Sequence, residues 1–312
     1  MSENIKHVLV TGGAGFIGSH LTRRLLAERR EVTVVDDCSN GRRENVPNSA
    51  RFIEADLTEE DTCREIGKLS FDAVFHLASQ SSGALSFEDP IGDMKSHLYT
   101  TFSLLQLALE KKVSHFIFSS STTLYGDPTY LPADEKHPRN PKTYYGTGKL
   151  ACEDYVLFFS SRGLPVTVFR LPNVYGPGQN LQNKKQGMVS IYLSYILEGR
   201  PVLVKGSKDR FRDFIFIDDV IDAWMMAFLN PVAIGKTYNL GSGQQSSVEQ
   251  VLVGLKAACS KPDYPVEFAN GTPGDQSGMV LDVSKIQKEI GFKAKIGLQE
   301  GLKKMVETET GK

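Results

Sequence analysis

Cysteine is scarce and scattered in this chain. There are four in 312 residues (Cys38, Cys63, Cys152 and Cys259), with no C-x-x-C pair. That usage excludes a zinc ribbon and a disulfide framework, and it fits a reducing compartment. Long apolar runs are missing too. Nothing approaches the roughly 18 consecutive apolar residues of a spanning helix. An excess of one charge is also absent, with 36 basic against 37 acidic residues. No broad field for nucleic acid or a membrane surface is therefore expected. The first residues enter a short apolar run, Val8 to Val10, that glycine soon interrupts. A signal peptide needs a longer apolar core and a small-residue cleavage site, so cytoplasmic residence is the expectation. Asn270-Gly271-Thr272 matches a glycosylation sequon, read here as chance. No repeat or low-complexity segment appears, and 40% hydrophobic content is enough for a substantial core.

What is present is a rhythm. Short β-branched runs stand at His7–Thr11, Glu31–Val35, Ala50–Glu54, Ala73–Leu77, His115–Ser119 and Val166–Leu171. Helix-like stretches lie between them, such as Ile17–Glu28, Asp93–Lys111 and Tyr145–Ser161. This alternation predicts an α/β fold with a doubly wound parallel (Rossmann) sheet, its strands covered on both faces. Beyond Pro172 the rhythm breaks into a polar loop, Gly176 to Gly187. Further elements are expected at Phe214–Ile217, Asp219–Leu229 and Val248–Ala258. The reading is a dinucleotide-binding domain over residues 1–175, with contributions from about 210–242, and a smaller C-terminal substrate lobe over 176–312. Ligands should sit outside the carboxyl ends of the strands, between sheet and lobe.

The first strand runs into Gly12-Gly13-Ala14-Gly15-Phe16-Ile17-Gly18. Glycines at 12, 15 and 18 permit a tight turn, close backbone approach to a pyrophosphate and close helix–strand packing. The next helix offers its N-terminus to the anion. A glycine-rich turn alone is also what an ordinary loop looks like. The second strand adds weight by ending at Asp36, eighteen residues past Gly18. An acid there hydrogen-bonds the ribose hydroxyls and repels a 2′-phosphate. No arginine follows directly, since Arg42 and Arg43 come later, so NAD is preferred to NADP. Asp37 is a solvated or loop-stabilising neighbour. Asp56, after the third strand, reads equally as an adenine contact or a helix N-cap.

The fifth strand ends in Ser119-Ser120-Ser121-Thr122-Thr123, and Tyr144-Tyr145-Gly146-Thr147-Gly148-Lys149 follows downstream. Tyr145 and Lys149 are four apart, so a helix places them on one face. A free tyrosine has a pKa near 10 and is a poor base. A nearby ammonium and an oxidised nicotinamide favour its phenolate, which then takes a proton from a carbinol as hydride leaves. Ser121 is placed to hydrogen-bond the same oxygen. Taken alone, a tyrosine four residues before a lysine is more often a surface aromatic over a lysine stem. Tyr144 has no such partner and is read as packing.

The glycine turn, Asp36, the serine run and the Tyr145/Lys149 pair stand in one order. Further motifs are Val74-Phe75-His76-Leu77-Ala78, Arg170 to Pro177, Arg212 to Val220, Tyr238 to Gly243, and Pro273-Gly274-Asp275 with Asp282 to Lys285. Together they resemble the extended short-chain dehydrogenase/reductase family, and within it the nucleotide-sugar epimerases and dehydratases. The resemblance implies Tyr145 as base, Lys149 as its partner and ribose contact, and Ser121 as third catalytic residue. It implies cofactor contacts at Phe16, Ile17, Asp36, Asp37, Ser39, Asn40 and Gly41. Asp56, Leu57, Leu77, Ala78, Ser79 and Pro172 are implied as further cofactor contacts. Substrate contacts are implied at Thr122, Thr123, Asn173, Arg212 and Asp275, and Arg212 offers a planar donor fork for a diphosphate. Family members pair the two long helices across a homodimer. No metal, nucleic-acid or membrane partner is implied.

Reaction choice rests on Thr122 and Thr123. Family 4,6-dehydratases carry an Asp-Glu pair there, and the decarboxylases of UDP-glucuronate a Glu at the second position. Threonine cannot act as a carboxylate acid, so 4-epimerisation of a nucleotide sugar through a transient 4-keto sugar is favoured, for a UDP-hexose or UDP-hexuronate. Net oxidation or reduction at C4, 4,6-dehydration, and a non-catalytic NAD-binding regulator are the alternatives. Four positions depart from the pattern. His97 stands in place of an asparagine, read as structural ahead of titrating, and Ser79 replaces a small apolar residue. Gly148 replaces a serine. Thr272 stands where UDP-sugar epimerases often have arginine, which leaves GDP, CDP and dTDP open beside UDP.

Overall fold

The computed structural model describes residues 6–228, 230–271, 276 and 278–311. Leu229, Thr272, Pro273, Gly274 and Asp275 lie outside the described residues, and with them the expectations placed there. Strands are β1 (His7–Thr11), β2 (Glu31–Asp36), β3 (Arg51–Glu54), β4 (Ala73–His76), β5 (His115–Ser121), β6 (Val166–Leu171), β7 (Asn173–Tyr175), β8 (Val202–Lys205), β9 (Phe211–Phe216), β10 (Lys236–Asn239), β11 (Gln245–Ser247) and β12 (Val266–Ala269). Helices are α1 (Phe16–Ala27), α2 (Glu60–Gly67), α3 (Gly83–Glu88), α4 (Pro90–Met94), α5 (Thr100–Glu110), α6 (Tyr144–Ser161), α7 (Met188–Leu197), α8 (Ile217–Phe228), α9 (Val248–Ala258), α10 (Ser284–Ile290) and α11 (Leu298–Thr310).

Seven strands form one parallel sheet in the order β10-β6-β5-β4-β1-β2-β3. The strands are apolar throughout because both faces are covered, and period-2 alternation divides them between two cores. Val8 and Val10 face α1 and α8 with Leu21, Leu25 and Trp224, while Leu9 joins Leu105, Phe118 and Val156 on the opposite side. A three-stranded sheet, β11-β9-β7, and the pair β12-β8 lie outside the main sheet.

The predicted doubly wound sheet is present, and β10 adds a seventh strand that the sequence reading did not place. The single helix expected over Asp93–Lys111 is two helices joined by a π-turn at Lys95–Tyr99. An inserted residue leaves helical propensity intact, so periodicity alone does not reveal it. The stretch from Gly176 to Gly187 is a loop, as expected, between β7 and α7.

Strand order reverses between β1 and β4. There Gly12, with φ +72°, lies so close to the turn after β4 that a Cβ would stand 2.7 Å from the Ala78 nitrogen. At Gly18 a Cβ would stand 2.2 Å from the Gly12 oxygen. These two glycines are therefore required by packing, and together they open the crevice where such sheets bind ligands.

Candidate active site

The pyrophosphate cradle is built from backbone. Gly15 is the N-cap of α1 and makes no side-chain capping hydrogen bond, and the first turn carries no acid. The first N–H groups of α1 are thus left for an anionic ligand. Asp36 closes the far wall. Its Oδ2 accepts from the Ala14 N–H at 2.9 Å and its Oδ1 from the Cys38 N–H at 2.9 Å. Burial raises its pKa, and the Cys38 and Ala14 amides pull it back. The amides of Cys38, Ala14 and Gly15 all face the carboxylate, and of its roughly four lone-pair sites this leaves acceptor capacity for a ribose hydroxyl.

The basic residues nearby are committed elsewhere. Arg42 donates to Asn180 and Gln182, while Arg43 donates to the Val46 carbonyl and covers the Phe52 ring. This arrangement fits a 2′-hydroxyl and not a 2′-phosphate. Asp36→Ala is accordingly expected to raise the NAD dissociation constant by about 10- to 100-fold, from the loss of charged hydrogen bonds, and to narrow the preference over NADP. Titration of the stripped protein with each dinucleotide measures both.

The remaining expected cofactor contacts fall around this crevice with unequal roles. Leu77, Ala78 and Ser79 follow β4, where the Leu77 N–H bonds the Thr11 carbonyl. Asp37 is turned to its own loop and accepts from the Ser39 N–H and hydroxyl at 2.9 and 2.6 Å. Asp56 accepts from the Thr58 N–H at 2.7 Å in a local turn before α2, whose N-cap is Glu59. The N-cap alternative for Asp56 is therefore not realised, and Leu57 beside it is buried. Gly41 packs on the Ala14 backbone, where a Cβ would meet its carbonyl carbon at 2.6 Å. Asn40 exchanges hydrogen bonds with Gln186 and Asn183 at 3.0 Å each. The loop after β7 is thereby strapped to the loop after β2.

The candidate reacting groups come from β5 and α6. Thr143 caps α6 by accepting from the Gly146 N–H at 2.9 Å, which sets Tyr145 in the first turn. Positions 145, 149 and 153 then follow at four-residue spacing along one helix face. Each meets the serine run. Tyr145 faces Ser121. Lys149 Nζ donates to the Ser119 carbonyl at 2.9 Å and lies over the Phe118 ring. Ser120 donates to Glu153 Oε2 at 2.8 Å. Ser121 Oγ also receives the Thr123 hydroxyl at 3.0 Å. Burial lowers the Lys149 pKa to about 8. Burial raises that of Tyr145, Ser121 lowers it, and the charge of Asp93 raises it.

Sequence reasoning missed three members of this site. Glu153 and Arg170 form a buried ion pair beneath the serines. Asp93, with an Oδ1 that accepts from Gln80 Nε2 at 2.8 Å, sits behind His97. The extension of the Tyr145/Lys149 spacing by one more turn pointed to Glu153, whereas nothing local to Asp93 set it apart.

Of the expected substrate contacts, Arg212 is buried on β9 and donates to the Phe211 carbonyl at 2.8 Å and the Gln276 carbonyl at 2.7 Å. Burial and the charge of Arg210 lower its pKa to about 10, a setting that an anionic ligand would reverse. Asn173, on β7, reaches the Asp213 carbonyl at 3.4 Å, and Pro172 links β6 to β7. Thr122 is buried beside Thr123 in the turn after β5.

A parallel sheet with a dinucleotide crevice at its switch point, and a tyrosine–lysine–serine cluster at the same edge, define an enzyme that moves hydride at a carbinol carbon. The profile of the NAD dependent epimerase/dehydratase family matches residues 8–241, and the chain belongs to that family. Its cofactor is NAD, and the glycine cradle and Asp36 fit that group. The chain is 34% identical over 308 residues to a UDP-glucose 4-epimerase of Mycolicibacterium smegmatis, covering 96% of this chain and 97% of the relative. Among solved structures it is similar to the UDP-glucose 4-epimerase of Thermotoga maritima determined with UDP-glucose. The TM-score is 0.93 at 35% identity, over 98% of this chain and 99% of that one. The Thermus thermophilus UDP-glucose 4-epimerase complexed with NAD gives a TM-score of 0.92 at 33% identity, over 98% and 99%. No helix among the described residues is long and apolar enough to cross a membrane.

Proposed function

We propose that this chain is an NAD-dependent 4-epimerase of a nucleotide sugar, with UDP-hexoses as the first substrates to test. The observation that carries the reading is the Ser121–Thr123–Tyr145 cluster. Among the described residues no carboxylate hydrogen-bonds it, so elimination and decarboxylation lack their acid. Bound NAD supplies the hydride acceptor at C4 and the donor that restores the alcohol. Tyr145 takes the hydroxyl proton and later returns it. Ser121, steadied by Thr123, donates to the same oxygen, and Lys149 keeps a positive charge at the ribose side. Arg212 and Asn173 hold the diphosphate while the hexose turns. Thr122 and Asp275 complete the substrate side.

The substrate cleft lies between the sheet domain (1–175, with about 210–242) and the smaller lobe (176–312). The exposed apolar side chains of α4, α5 and α6, among them Ile91, Tyr155 and Phe158, fit a homodimer joined through these helices. Cysteines that form no disulfide among the described residues fit cytoplasmic residence.

The test is a panel of UDP-glucose, UDP-galactose, their N-acetyl forms and UDP-glucuronate, followed by proton NMR. Interconversion at C4 with no net NADH is expected. Stoichiometric NADH release, or a 4-keto-6-deoxy product, would replace this reading with the oxidoreductase or dehydratase one.

A further inference from the structure

Two departures from the family pattern, His97 and Gly148, are in contact in the fold. His97 is the central residue of the π-turn between α4 and α5, and its side chain is 1% exposed. An extra residue in a helical turn redirects one side chain, and such bulges cluster at functional sites. Here it aims the imidazole at α6. The ring stands edge-on to Tyr145, with centroids 5.4 Å apart at 60°. The room for it comes from Gly148, three residues past Tyr145 on the same helix. A Cβ at 148 would lie 3.0 Å from His97 Cδ2 and 3.1 Å from Cγ, tighter than ordinary contact. One imidazole nitrogen, Nε2, has no hydrogen-bond partner among the described residues and is 3.5 Å from Asp93 Oδ1. The ring thus sits between the Asp93 carboxylate on one side and α6 at Gly148 on the other. Burial and the charge of Lys149 lower the His97 pKa, with Asp93 opposing them, so the imidazole is held towards its neutral form.

We propose that His97 and Gly148 are a matched pair that sets the position of the Tyr145 ring, which makes His97 a positioning residue for the proton transfer. A near-attack geometry leaves little slack, and displacement of a reacting group by about 1 Å costs on the order of 10²-fold in rate. A side chain at 148 pushes the imidazole against Tyr145. Loss of the imidazole lets the phenol ring drift from Ser121. A change of both together, to a smaller residue at 97 and a larger one at 148, refills the same volume.

The test is a double-mutant cycle in the NAD-loaded protein with Gly148→Ser, His97→Asn and the pair. Asparagine drops the two outer ring atoms and can turn aside. Gly148→Ser is expected to lower kcat by roughly 10- to 100-fold with KM for the sugar nucleotide changed less than about twofold. His97→Asn lowers kcat too, and the double variant recovers about tenfold or more over Gly148→Ser. Additive losses, an unchanged kcat in Gly148→Ser, or a KM effect in place of the kcat effect would each overturn the pairing. If Gly148→Ser does not fold, Gly148→Ala enters the same cycle with the same expected signs.

The proposal rests on Tyr145 as the base, so a second readout is independent of turnover. The Tyr145 phenol is titrated by ultraviolet difference against Tyr145→Phe. Its midpoint is expected to move in Gly148→Ser and to return in the double variant, and a midpoint common to all four proteins overturns the proposal. A wild-type protein inactive on every sugar nucleotide would sink the functional reading and leave this titration to decide the pairing.

Discussion

Tyr145→Phe is expected to lower kcat by about 10²- to 10⁴-fold, the usual worth of a positioned proton-transfer group, while bound NAD, KM and melting temperature stay near wild type. The substitution removes one oxygen and keeps the ring, so the contacts with His97 and the helix cap at Thr143 survive. What is lost is the phenol that faces Ser121, whose hydroxyl lowers its pKa. The forces on the phenol in the protein alone run against catalysis, because burial and Asp93 both raise its pKa and only Ser121 lowers it. The Lys149 ammonium is directed at the Ser119 carbonyl and does not rank among these influences. The positive charge of an oxidised nicotinamide then supplies the stabilisation that the phenolate lacks. The Tyr145 titration midpoint should fall when the stripped protein is loaded with NAD. An equal midpoint in both forms, or a Tyr145→Phe protein with more than about a tenth of wild-type kcat, would remove Tyr145 from its role.

The parts of this molecule that are local in sequence were legible there. β1, the glycine turn and the start of α1 are contiguous, and their spacing encodes the cradle. Tyr145 and Lys149 share a helix turn, so one period argument places them together. Asp36 was readable because it ends a strand at a fixed distance from Gly18. The parts that depend on register or on a bulge were not. Arg170 pairs with Ser120 across β5 and β6, and it reaches Glu153 only because parallel pairing sets that register. The contact between His97 and Gly148 spans 51 positions and needs the π-turn. Both residues stood out in sequence as departures from a pattern, yet their complementarity is visible only in three dimensions. Asp37 and Asp56 show the reverse case. Each is an acid near a nucleotide site, and each is held in a turn of its own loop.

Arg170→Met is expected to destabilise the protein by about 3–5 kcal/mol, because the partner left behind is a buried, unpaired carboxylate. Glu153 is fully buried, and Arg170 is 4% exposed. The guanidinium gives Nε and Nη2 to Glu153 and Nη1 to the Tyr125 hydroxyl at 2.8 Å and the Glu135 carbonyl at 2.9 Å. Tyr125 passes the chain on to Asn239 at 2.6 Å, on β10. One network therefore fastens α6 to β5, β6 and β10 directly beneath Ser120 and Ser121. Burial by itself lowers the Arg170 pKa, but the Glu153 carboxylate overrides it and holds the cation. After the substitution Glu153 keeps the Ser120 hydroxyl, and Arg139 at 3.7 Å is mainly engaged by Asp154 at 2.6 Å. A melting temperature lower by on the order of 10 °C at fixed NAD concentration is the expected reading. Arg170→Met/Glu153→Leu should recover much of that loss, because an apolar pair removes the stranded charge along with its partner. Activity should not recover with it, since Ser120 loses its acceptor and α6 one of its ties to β5, so Tyr145 moves relative to Ser121. A double variant that regains both stability and full kcat would show that the network serves folding alone. An Arg170→Met protein melting within about a degree of wild type would show that the buried pair contributes nothing to stability.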